Sequence, residues 1–340
     1  MAKPILISGS LVYDRIMNYP GKFREHILRG GGDDRVLNLS FVVDRLVTSR
    51  GGTAGNIAHT VKLLGGVPIA VGALGVDGAD YLAHFARAKI GTRYIARDAA
   101  HHTASAHIIT DREDNQITGF FGGVPAARVP SIVSVLRNIR KKATPANSST
   151  SVAIPAIATI SPTHVSVMKR HLRECVKLGI TTMFDPGQQI NALTGRDLRE
   201  MSATADIVIG NDYEMRTLQE RTGWNIKKIM DGGAIVVVTH GGKGSVIFHR
   251  EEEAGSGHAA GATTTKIAPC KPHRVVDPTG AGDAYRAGFL VGLAEGRPLA
   301  AAGRMGSVAA SFAIETSGTQ EHTFTKPAFW ARYKKAYGKI

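Results

Sequence analysis

Short apolar runs that alternate with amphipathic stretches constrain the fold of this chain more than any other feature. The strand-like runs lie at 4–7, 69–73, 183–185, 207–210 and 234–239. The helix-like stretches between them lie at 55–64, 79–89 and 165–178. Short apolar strands separated by helices are typical of a parallel sheet that is covered on both faces. We therefore expect an α/β fold, with many of the 39 glycines in tight turns between strand and helix.

Two segments depart from this alternation. The first, 11–50, contains a strand-like run at 36–47, VLNLSFVVDRLV. The second, 103–122, contains two strand-like runs around a turn at 111–115, which predicts a hairpin and hence a small side sheet. Two polar segments predict loops. They are 143–151, read as a linker, and 251–265, read as a surface loop or an irregular hairpin.

Composition narrows the class of protein. Apolar residues make up 43% of the chain, which is enough to form a core and excludes a disordered protein. No apolar run is long enough to span a membrane, and the apolar part of the N-terminus is too short for a signal peptide. Two cysteines, Cys175 and Cys270, cannot form a disulfide framework, so we expect a cytoplasmic protein.

The net charge of +14 raises the question of a nucleic-acid partner. The basic residues are spread along the chain, and the densest group, at 136–142, has no aromatic residues among it. Aromatic residues make up only 6% of the chain. We therefore expect no nucleic-acid partner, and a basic surface that attracts anionic substrates.

The segment 277–283, DPTGAGD, is the most informative motif. Its glycines permit a tight turn, and the residues that follow it suit a helix. The backbone N–H groups of Gly280, Ala281 and Gly282 would then face outward at a helix N-terminus, where anions bind. Asp283 would lie beside the anion as a base toward an attacking hydroxyl. The alternative is that Asp283 only caps the helix.

Two further features suit a polar small molecule. The segment 51–56, GGTAGN, has paired glycines that let a ligand approach and an amide, Asn56, that can hold two hydroxyls. Asp14 follows the first strand, where open α/β sheets place ligand-binding residues. The alternatives are a helix-entry turn for the glycines and a surface turn for Asp14.

Two other features suit a nucleotide. The segment 239–244, THGGKG, follows an apolar strand and lets the backbone approach a ligand, although it lacks the order of a Walker A loop. Asn211 and Glu214 are three residues apart and share one face of a helix, from which they could orient a hydrated Mg²⁺ against phosphates. The alternative is an N-cap with its partner glutamate.

Together these four motifs resemble those of the ribokinase-like (PfkB) family of carbohydrate and nucleoside kinases, in the family's order from residue 5 to about 321. The resemblance implies one kinase domain over 1–340, with three layers, α/β/α, around a mostly parallel sheet. It also implies a small β-sheet lid, drawn from about 11–50 and 103–122, that excludes water on closure. The co-substrate would be ATP.

The resemblance assigns roles to the phosphate-handling residues. Asp283 looks like the catalytic base, and Gly280, Ala281 and Gly282 look like the anion hole for the γ-phosphoryl group. Asn211 and Glu214 resemble the residues that position Mg²⁺ through water. The implied ATP contacts are Thr239, Gly241, Gly244 and Asn211, with Ser307 near the adenine. Some members of the family bind K⁺, and Asp277 could help to supply that site.

The resemblance also places the acceptor. Asp14, Gly52 and Asn56 look like the residues that bind sugar hydroxyls. The segments SLVYDRIMNYPGKF, DNQITGFF, FDPGQQI and NDYE are closest to the bacterial and archaeal adenosine and nucleoside kinases. The implied reaction is transfer of the γ-phosphoryl group to the 5′-hydroxyl of a nucleoside. Phe41 and Phe120, with Phe121, would stack on the base or, alternatively, only fill the lid interface.

Two other functions stay open. The first is a sugar kinase of the same family, acting on ribose, fructose or a sugar phosphate, for which Arg112 could form part of a cationic clamp. The second is a nucleotide-binding protein without turnover. In this family the edge strands of the lid can pair across dimers, so the chain is expected to be a monomer or a homodimer, with no membrane partner.

Overall fold

The strands and helices of the chain are taken from a computed structural model that describes residues 3–27, 40–113, 115–142, 154–252 and 259–339. The strands are β1 (Pro4–Ser8), β2 (Val12–Asn18), β3 (Arg45–Gly51), β4 (Val67–Leu74), β5 (Ile95–Arg97), β6 (Ala104–Thr110), β7 (Gln116–Phe121), β8 (Ile157–Ile160), β9 (Thr181–Phe184), β10 (Ile207–Asn211), β11 (Ile235–Thr239), β12 (Ser245–Glu252) and β13 (Ala259–Ile267). The helices are α1 (Arg24–Ile27), α2 (Thr53–Leu63), α3 (Ala79–Arg87), α4 (Ile132–Lys142), α5 (Val165–Lys177), α6 (Gly195–Thr204), α7 (Asp212–Thr222), α8 (Ile226–Met230), α9 (Ala281–Ala294), α10 (Leu299–Ala313) and α11 (Lys326–Tyr337).

Nine of the described strands form the central sheet, in the order β13-β12-β11-β10-β9-β8-β1-β4-β5. All neighbours from β11 to β5 are parallel, whereas β12 and β13 are antiparallel additions at one edge. The chain builds outward from β1 in both directions, first through β4 and later through β8. Such a reversal leaves a crevice at the carboxyl ends of the strands, where open α/β sheets bind ligands.

The core lies in two layers, one on each face of the central sheet. Ile5 and Ile7 of β1 pack with buried residues of α2, α3, α9, α10 and α11. Leu6, between them in sequence, packs on the other face with α4, α5, α6, α7 and α8. Successive residues of a strand point to opposite faces, so one strand contributes to both layers. This arrangement confirms the expected three-layer fold.

A second, smaller sheet has the order β3-β2-β6-β7 in the described part of the chain. β2 pairs antiparallel with β3 and parallel with β6, and β6 pairs antiparallel with β7. The predicted hairpin at 103–122 is present as β6 and β7, and the N–H of Asp111 donates to the carbonyl of Asn115 across its turn (3.0 Å). Four strands from two distant segments therefore form one sheet outside the central one.

The prediction of a strand over 36–47 was wrong in its position. Residues 36–39 lie outside the described residues, 40–44 form no strand, and β3 begins at Arg45. Its partner β2 ends at Asn18, which lies opposite Arg45. Among the described residues the strand pairing ends at that pair, where the N–H of Asp44 still donates to the carbonyl of Asn18 (3.0 Å). Phe41 packs on other aromatic rings.

The predicted linker at 143–151 lies outside the described residues. The segment 251–265 falls on an irregular hairpin, because β12 and β13 pair with a register shift between Arg250 and Glu252. Residues 253–258 lie outside the described part. Among the helices that are described, none has the length and apolar content needed to cross a membrane.

Candidate active site

The N-terminus of α9 lies at the carboxyl edge of the central sheet, because an ion pair joins Arg286 of α9 to Asp185, which follows β9. Gly280 is the N-cap of α9 and has a φ of 80°, a left-handed conformation that favours glycine. A side chain there would also press on Thr319, with a Cβ 3.0 Å from its Cγ2. This turn therefore requires glycine, and the first N–H groups of the helix lack partners within it.

Asp283 lies in the first turn of α9, but it does not cap the helix. Its Oδ2 accepts a hydrogen bond of 2.7 Å from the side-chain nitrogen of Asn56 in α2. Burial raises the pKa of Asp283 to about 7, although Arg286 and the Asn56 hydrogen bond oppose the shift. A carboxylate with such a pKa can accept a proton near neutral pH.

Asn56 is fixed by two donors from the loop after α10. Its Oδ1 accepts from the hydroxyl of Thr319 (2.8 Å) and from the side-chain nitrogen of Gln320 (3.0 Å). Asn56 is 5% exposed. The Asn56 side chain thus makes three of the four hydrogen bonds that a carboxamide can make, all with described residues. One N–H of Asn56 is left for a ligand.

A buried ion cluster lies beside Asp283. Arg286 donates to Asp185 over 2.6 Å, and its Nη2 is 3.6 Å from Oε2 of Glu214. Although burial alone would lower it, the carboxylates of Asp185 and Glu214 raise the pKa of Arg286. Burial and the neighbouring Asp185 raise the pKa of Glu214, against the opposing charge of Arg286. Arg286 therefore forms a buried ion pair inside the site.

Asn211 and Glu214 form a reciprocal cap at the start of α7. Oδ1 of Asn211 accepts from the N–H of Glu214 (2.9 Å), and Oε2 of Glu214 accepts from the N–H of Asn211 (2.8 Å). In the described residues, no group of three or more acidic, His or Cys side chains could hold a metal ion. One glutamate with a free oxygen fits Mg²⁺, which keeps most of its waters and binds largely through substrate phosphates.

Asp14 and Asp277 lie close enough to influence each other. Burial, together with the charge of Asp277, raises the pKa of Asp14 to about 6. The carboxylate of Asp14 lies against Gly51, where a side chain would collide with it. Although burial opposes it, hydrogen bonds from the N–H groups of Gly318 (3.0 Å) and Thr279 (2.9 Å) hold the pKa of Asp277 below its usual value. Asp277 thus ties the turn before α9 to the loop after α10.

The two glycine-rich turns enter this site from opposite sides. Gly52 is the N-cap of α2, with a φ of 87°, and follows directly on β3. Thr239 ends β11 and lies opposite Asn211 in the parallel pair of β11 and β10. Gly241 and Gly244 lie in the turn after Thr239, at the same carboxyl edge. The segments predicted to bind sugar and nucleotide therefore flank α9.

Ser307 holds a loop in place. Its hydroxyl accepts from the N–H of Cys270 (2.8 Å), and Ser307 is 7% exposed. Cys270 lines an open cavity of about 760 Å³ between residues 269–273 and helices α10 and α11. Ser307 therefore holds one wall of this cavity in place through its hydrogen bond with Cys270.

The predicted aromatic residues lie in different places. Asp14, Ala106 and Phe120 are directly paired across β2, β6 and β7, so their side chains are on one face of the second sheet. Phe121, the next residue, points to the other face. Phe41 packs against Tyr19 (4.8 Å between ring centroids) and Phe23 (5.1 Å), beyond the end of β2. The structure therefore brings Phe120, and not Phe41, to the face of Asp14.

The model of the pfkB family of carbohydrate kinases matches residues 10–326. The chain belongs to this family. A nucleoside kinase from Methanothermobacter thermautotrophicus is 30% identical to it over 286 residues, which cover 83% of this chain and 84% of that protein. Since both findings concern kinases, the chain is a phosphotransferase that acts on a hydroxyl group.

Solved kinases of similar sequence share the fold. The nucleoside kinase of Burkholderia thailandensis in complex with inosine superposes with a TM-score of 0.78 and 32% identity, covering 98% of each chain. The same enzyme in complex with ADP-inosine gives a TM-score of 0.76 and 32% identity, covering 98% of this chain and 96% of that one. The ribokinase-like fold expected from the sequence is thus confirmed.

Sequence reasoning missed four residues of this kinase site. Asp185, Thr319, Gln320 and Tyr81 carried no assigned role. Asp185 pairs with Arg286, Thr319 and Gln320 bond to Asn56, and Tyr81 accepts a hydrogen bond from Gln320 (2.6 Å). Asp185 could have been found, because it follows a short apolar strand at the edge where ligands bind. Thr319 and Gln320 had no such signal, since they lie in a polar segment 263 and 264 positions from Asn56.

Proposed function

We propose that this chain transfers the γ-phosphoryl group of ATP to the 5′-hydroxyl of a nucleoside. The observation that carries the proposal is the face of the second sheet that bears Asp14. Ile16, Val47, Ile108 and Phe120 share that face, by their register with Asp14 or with its neighbours. A carboxylate beside an apolar surface suits a ribose with a base attached, whereas a free sugar offers hydroxyls on every side.

The turn before α9 supports the chemical step. A phosphate at the N-terminus of α9 would accept hydrogen bonds from the first N–H groups and gain from the helix dipole. The N–H of Ala281 also donates to the carbonyl of Pro278 (3.2 Å), so we assign most of this role to Gly280 and Gly282. Asp283 would take the proton of the 5′-hydroxyl as its oxygen attacks the γ-phosphorus and the bond to ADP breaks.

Mg²⁺ is proposed as the metal of the reaction, held by the phosphates, by water and by the free oxygen of Glu214. When bound, Mg²⁺ neutralises charge on the phosphates. Asn211 would orient Glu214 through their reciprocal cap. K⁺ at Asp277 stays a prediction, since both oxygens of Asp277 accept from backbone N–H groups.

The nucleotide would lie along the turn after β11, with its adenine near Ser307. The cavity lined by Cys270 supports this location, because Ser307 holds the loop that forms its wall. The second sheet would act as a lid over the nucleoside. We further propose a cytoplasmic protein, since both cysteines are buried and unpaired. A monomer and a homodimer both fit these assignments.

An assay of ADP release across several acceptors tests the proposal. With adenosine, inosine and cytidine against ribose, fructose and fructose 6-phosphate, we expect kcat/KM to be at least about tenfold higher for a nucleoside, because base stacking contributes about 1–3 kcal/mol. A higher kcat/KM for any of the three sugars would overturn the choice of acceptor and favour the sugar kinase. ADP release with none of the acceptors would favour a binding protein without turnover.

Phe120 offers a sharper test of the base. Phe120→Ala is expected to raise the KM for the nucleoside about tenfold, because stacking on the base is lost, and to leave the KM for ATP unchanged. Phe121→Ala is the matched control, since Phe121 is also exposed (48% against 57%) but points to the other face. Initial-rate kinetics measure both. Equal effects of the two changes would argue against a base on the Asp14 face.

A further inference from the structure

A chain of buried hydrogen bonds runs from the backbone at the end of β3 to Asp283. The hydroxyl of Tyr81 donates to the carbonyl of Gly51 (2.6 Å) and accepts from the side-chain nitrogen of Gln320 (2.6 Å). The same nitrogen of Gln320 donates to Oδ1 of Asn56 (3.0 Å), and Nδ2 of Asn56 donates to Asp283 (2.7 Å). The chain thus crosses α3, the loop after α10, α2 and α9.

In this series of hydrogen bonds, the carbonyl of Gly51 determines which group donates and which accepts at each step. The Gly51 carbonyl can only accept, so the single proton of the Tyr81 hydroxyl is committed to it and Tyr81 accepts from Gln320. Gln320 must then present its NH₂ group to both Tyr81 and Asn56. Asn56 consequently turns its oxygen toward Gln320 and its NH₂ group toward Asp283. The hydrogen bonds thus favour these two amide orientations, and Oε1 of Gln320 is then buried without a partner among the described residues.

We propose that Tyr81 and Gln320 are positioning residues that keep Asp283 in its ionised, proton-accepting form. They do so through Asn56, because an N–H donated to a carboxylate oxygen stabilises the charged form. A flipped Asn56 would place its oxygen against Asp283, and that contact is favourable only when Asp283 carries a proton. The inference rests on the proposed role of Asp283 as base.

The charged groups that face Asp283 are Arg286 of the same helix, Asp185 after β9 and Glu214 of α7. Arg286 favours the ionised form, and the two carboxylates oppose it. All three belong to the buried ion cluster beside Asp283. Because these charges oppose one another, the orientation of Asn56 can shift the pKa of Asp283. An N–H turned toward Asp283 lowers that pKa, and an oxygen turned toward it raises the pKa.

Tyr81, His59 and His322, which surround Gln320, do not titrate in the same range as Asp283. Burial raises the pKa of Tyr81. Burial lowers the pKa of His59, and it lowers that of His322 to about 3, so both histidines are neutral near pH 7. Arg50 and Glu321 form an ion pair on the outer side (2.7 Å). Asp14 does titrate near pH 6. Its protonation would affect nucleoside binding, and kcat measured at saturating nucleoside does not contain that effect.

The test reverses the direction of the chain with a change of almost no volume. Gln320→Glu replaces the donating NH₂ group by an accepting oxygen, so Asn56 must turn its NH₂ group toward position 320 and its oxygen toward Asp283. We expect the acid limb of kcat, at saturating ATP and nucleoside, to move up by about one pH unit. Below the limb kcat falls about tenfold relative to the parent enzyme, and above it kcat is nearly unchanged.

Tyr81→Phe makes the same test without adding a charge. It removes the hydroxyl that commits Gln320 to one orientation, and we expect a smaller shift in the same direction. Gln219→Glu is the matched control, since the side chain of Gln219 bonds only to the carbonyl of Met215 in α7 among the described residues, and the substitution should leave the limb in place. Thermal unfolding of each variant identifies a change that acts on stability alone.

The outcomes separate this inference from the proposed function. Asp283→Asn is measured in parallel, and full turnover of that variant would remove the base on which the inference rests. If Asp283→Asn is inactive while both Gln320→Glu and Tyr81→Phe keep the parent acid limb, the positioning role is wrong and the base assignment stands. A loss of stability with an unmoved limb likewise overturns the positioning role.

Discussion

Asp283→Asn is expected to reduce kcat about a thousandfold. The amide has the size of the carboxyl group and can keep a hydrogen bond to Asn56, but it cannot take a proton from the acceptor hydroxyl. General base catalysis contributes about 10²–10⁴ to a rate, which sets this magnitude. The helix N-terminus would still hold the phosphates, so the affinity for ATP should change little. Steady-state kinetics and a nucleotide-binding titration measure the two quantities.

Stability gives the control for this variant. The folded-state pKa of Asp283, about 7, lies above its ordinary value of 3.8, so the folded state binds more protons between those values. This group therefore makes the parent protein less stable as pH rises from about 4 to 7. Asp283→Asn removes that dependence and should be at least as stable as the parent at pH 8. A kcat within tenfold of the parent value would exclude Asp283 as the base.

The parts of this site that are local in sequence could be predicted. The segment 277–283 specifies a tight turn and then a helix, and residue 280 needs the left-handed conformation that glycine adopts. The same holds for the cap that Asn211 and Glu214 form, because its two residues are three apart and complete it without the rest of the protein. In both cases the residues that act are also neighbours in the chain.

The parts that depend on distant partners could not be predicted. Asn56 suggested a binder of hydroxyls, yet its contacts are with Asp283, Thr319 and Gln320, which lie 227, 263 and 264 positions away. The position of Phe41 could not be predicted for a related reason, since it depends on where β2 ends and not on the apolar run that contains Phe41. Composition and periodicity report what a segment can bury, and they carry no information about which partner buries it.

The ion cluster illustrates what such partners do for the site. Arg286 supplies the positive charge that lets Asp185, Glu214 and an ionised Asp283 lie near one another. Arg286 and Asp185 have side chains that are only 7% and 1% exposed, so water cannot compensate for the loss of either. Arg286 supports the base and also stabilises the fold, so we expect its removal to lower the free energy of unfolding.

Arg286→Met is expected to lower the free energy of unfolding by about 3–5 kcal/mol, because it leaves two buried carboxylates without a counter-charge. In a chain of this size the melting temperature should fall by about 4–7 °C. The loss of stability should be larger at pH 8 than at pH 5, because burial raises the pKa of Glu214 and its protonation at low pH removes part of the unpaired charge. Calorimetry at the two pH values measures both effects.

Arg173→Met is the matched control for burial. Arg173 forms an ion pair with Glu200 of the same length, 2.6 Å, but the two side chains are 55% and 40% exposed. Exposed pairs of this kind contribute less than about 1 kcal/mol, so Arg173→Met should leave the melting temperature within about 2 °C of the parent. If Arg286→Met and Arg173→Met lower the free energy of unfolding by the same amount, Arg286 stabilises the protein through packing of its methylene groups and not through its charge within the cluster.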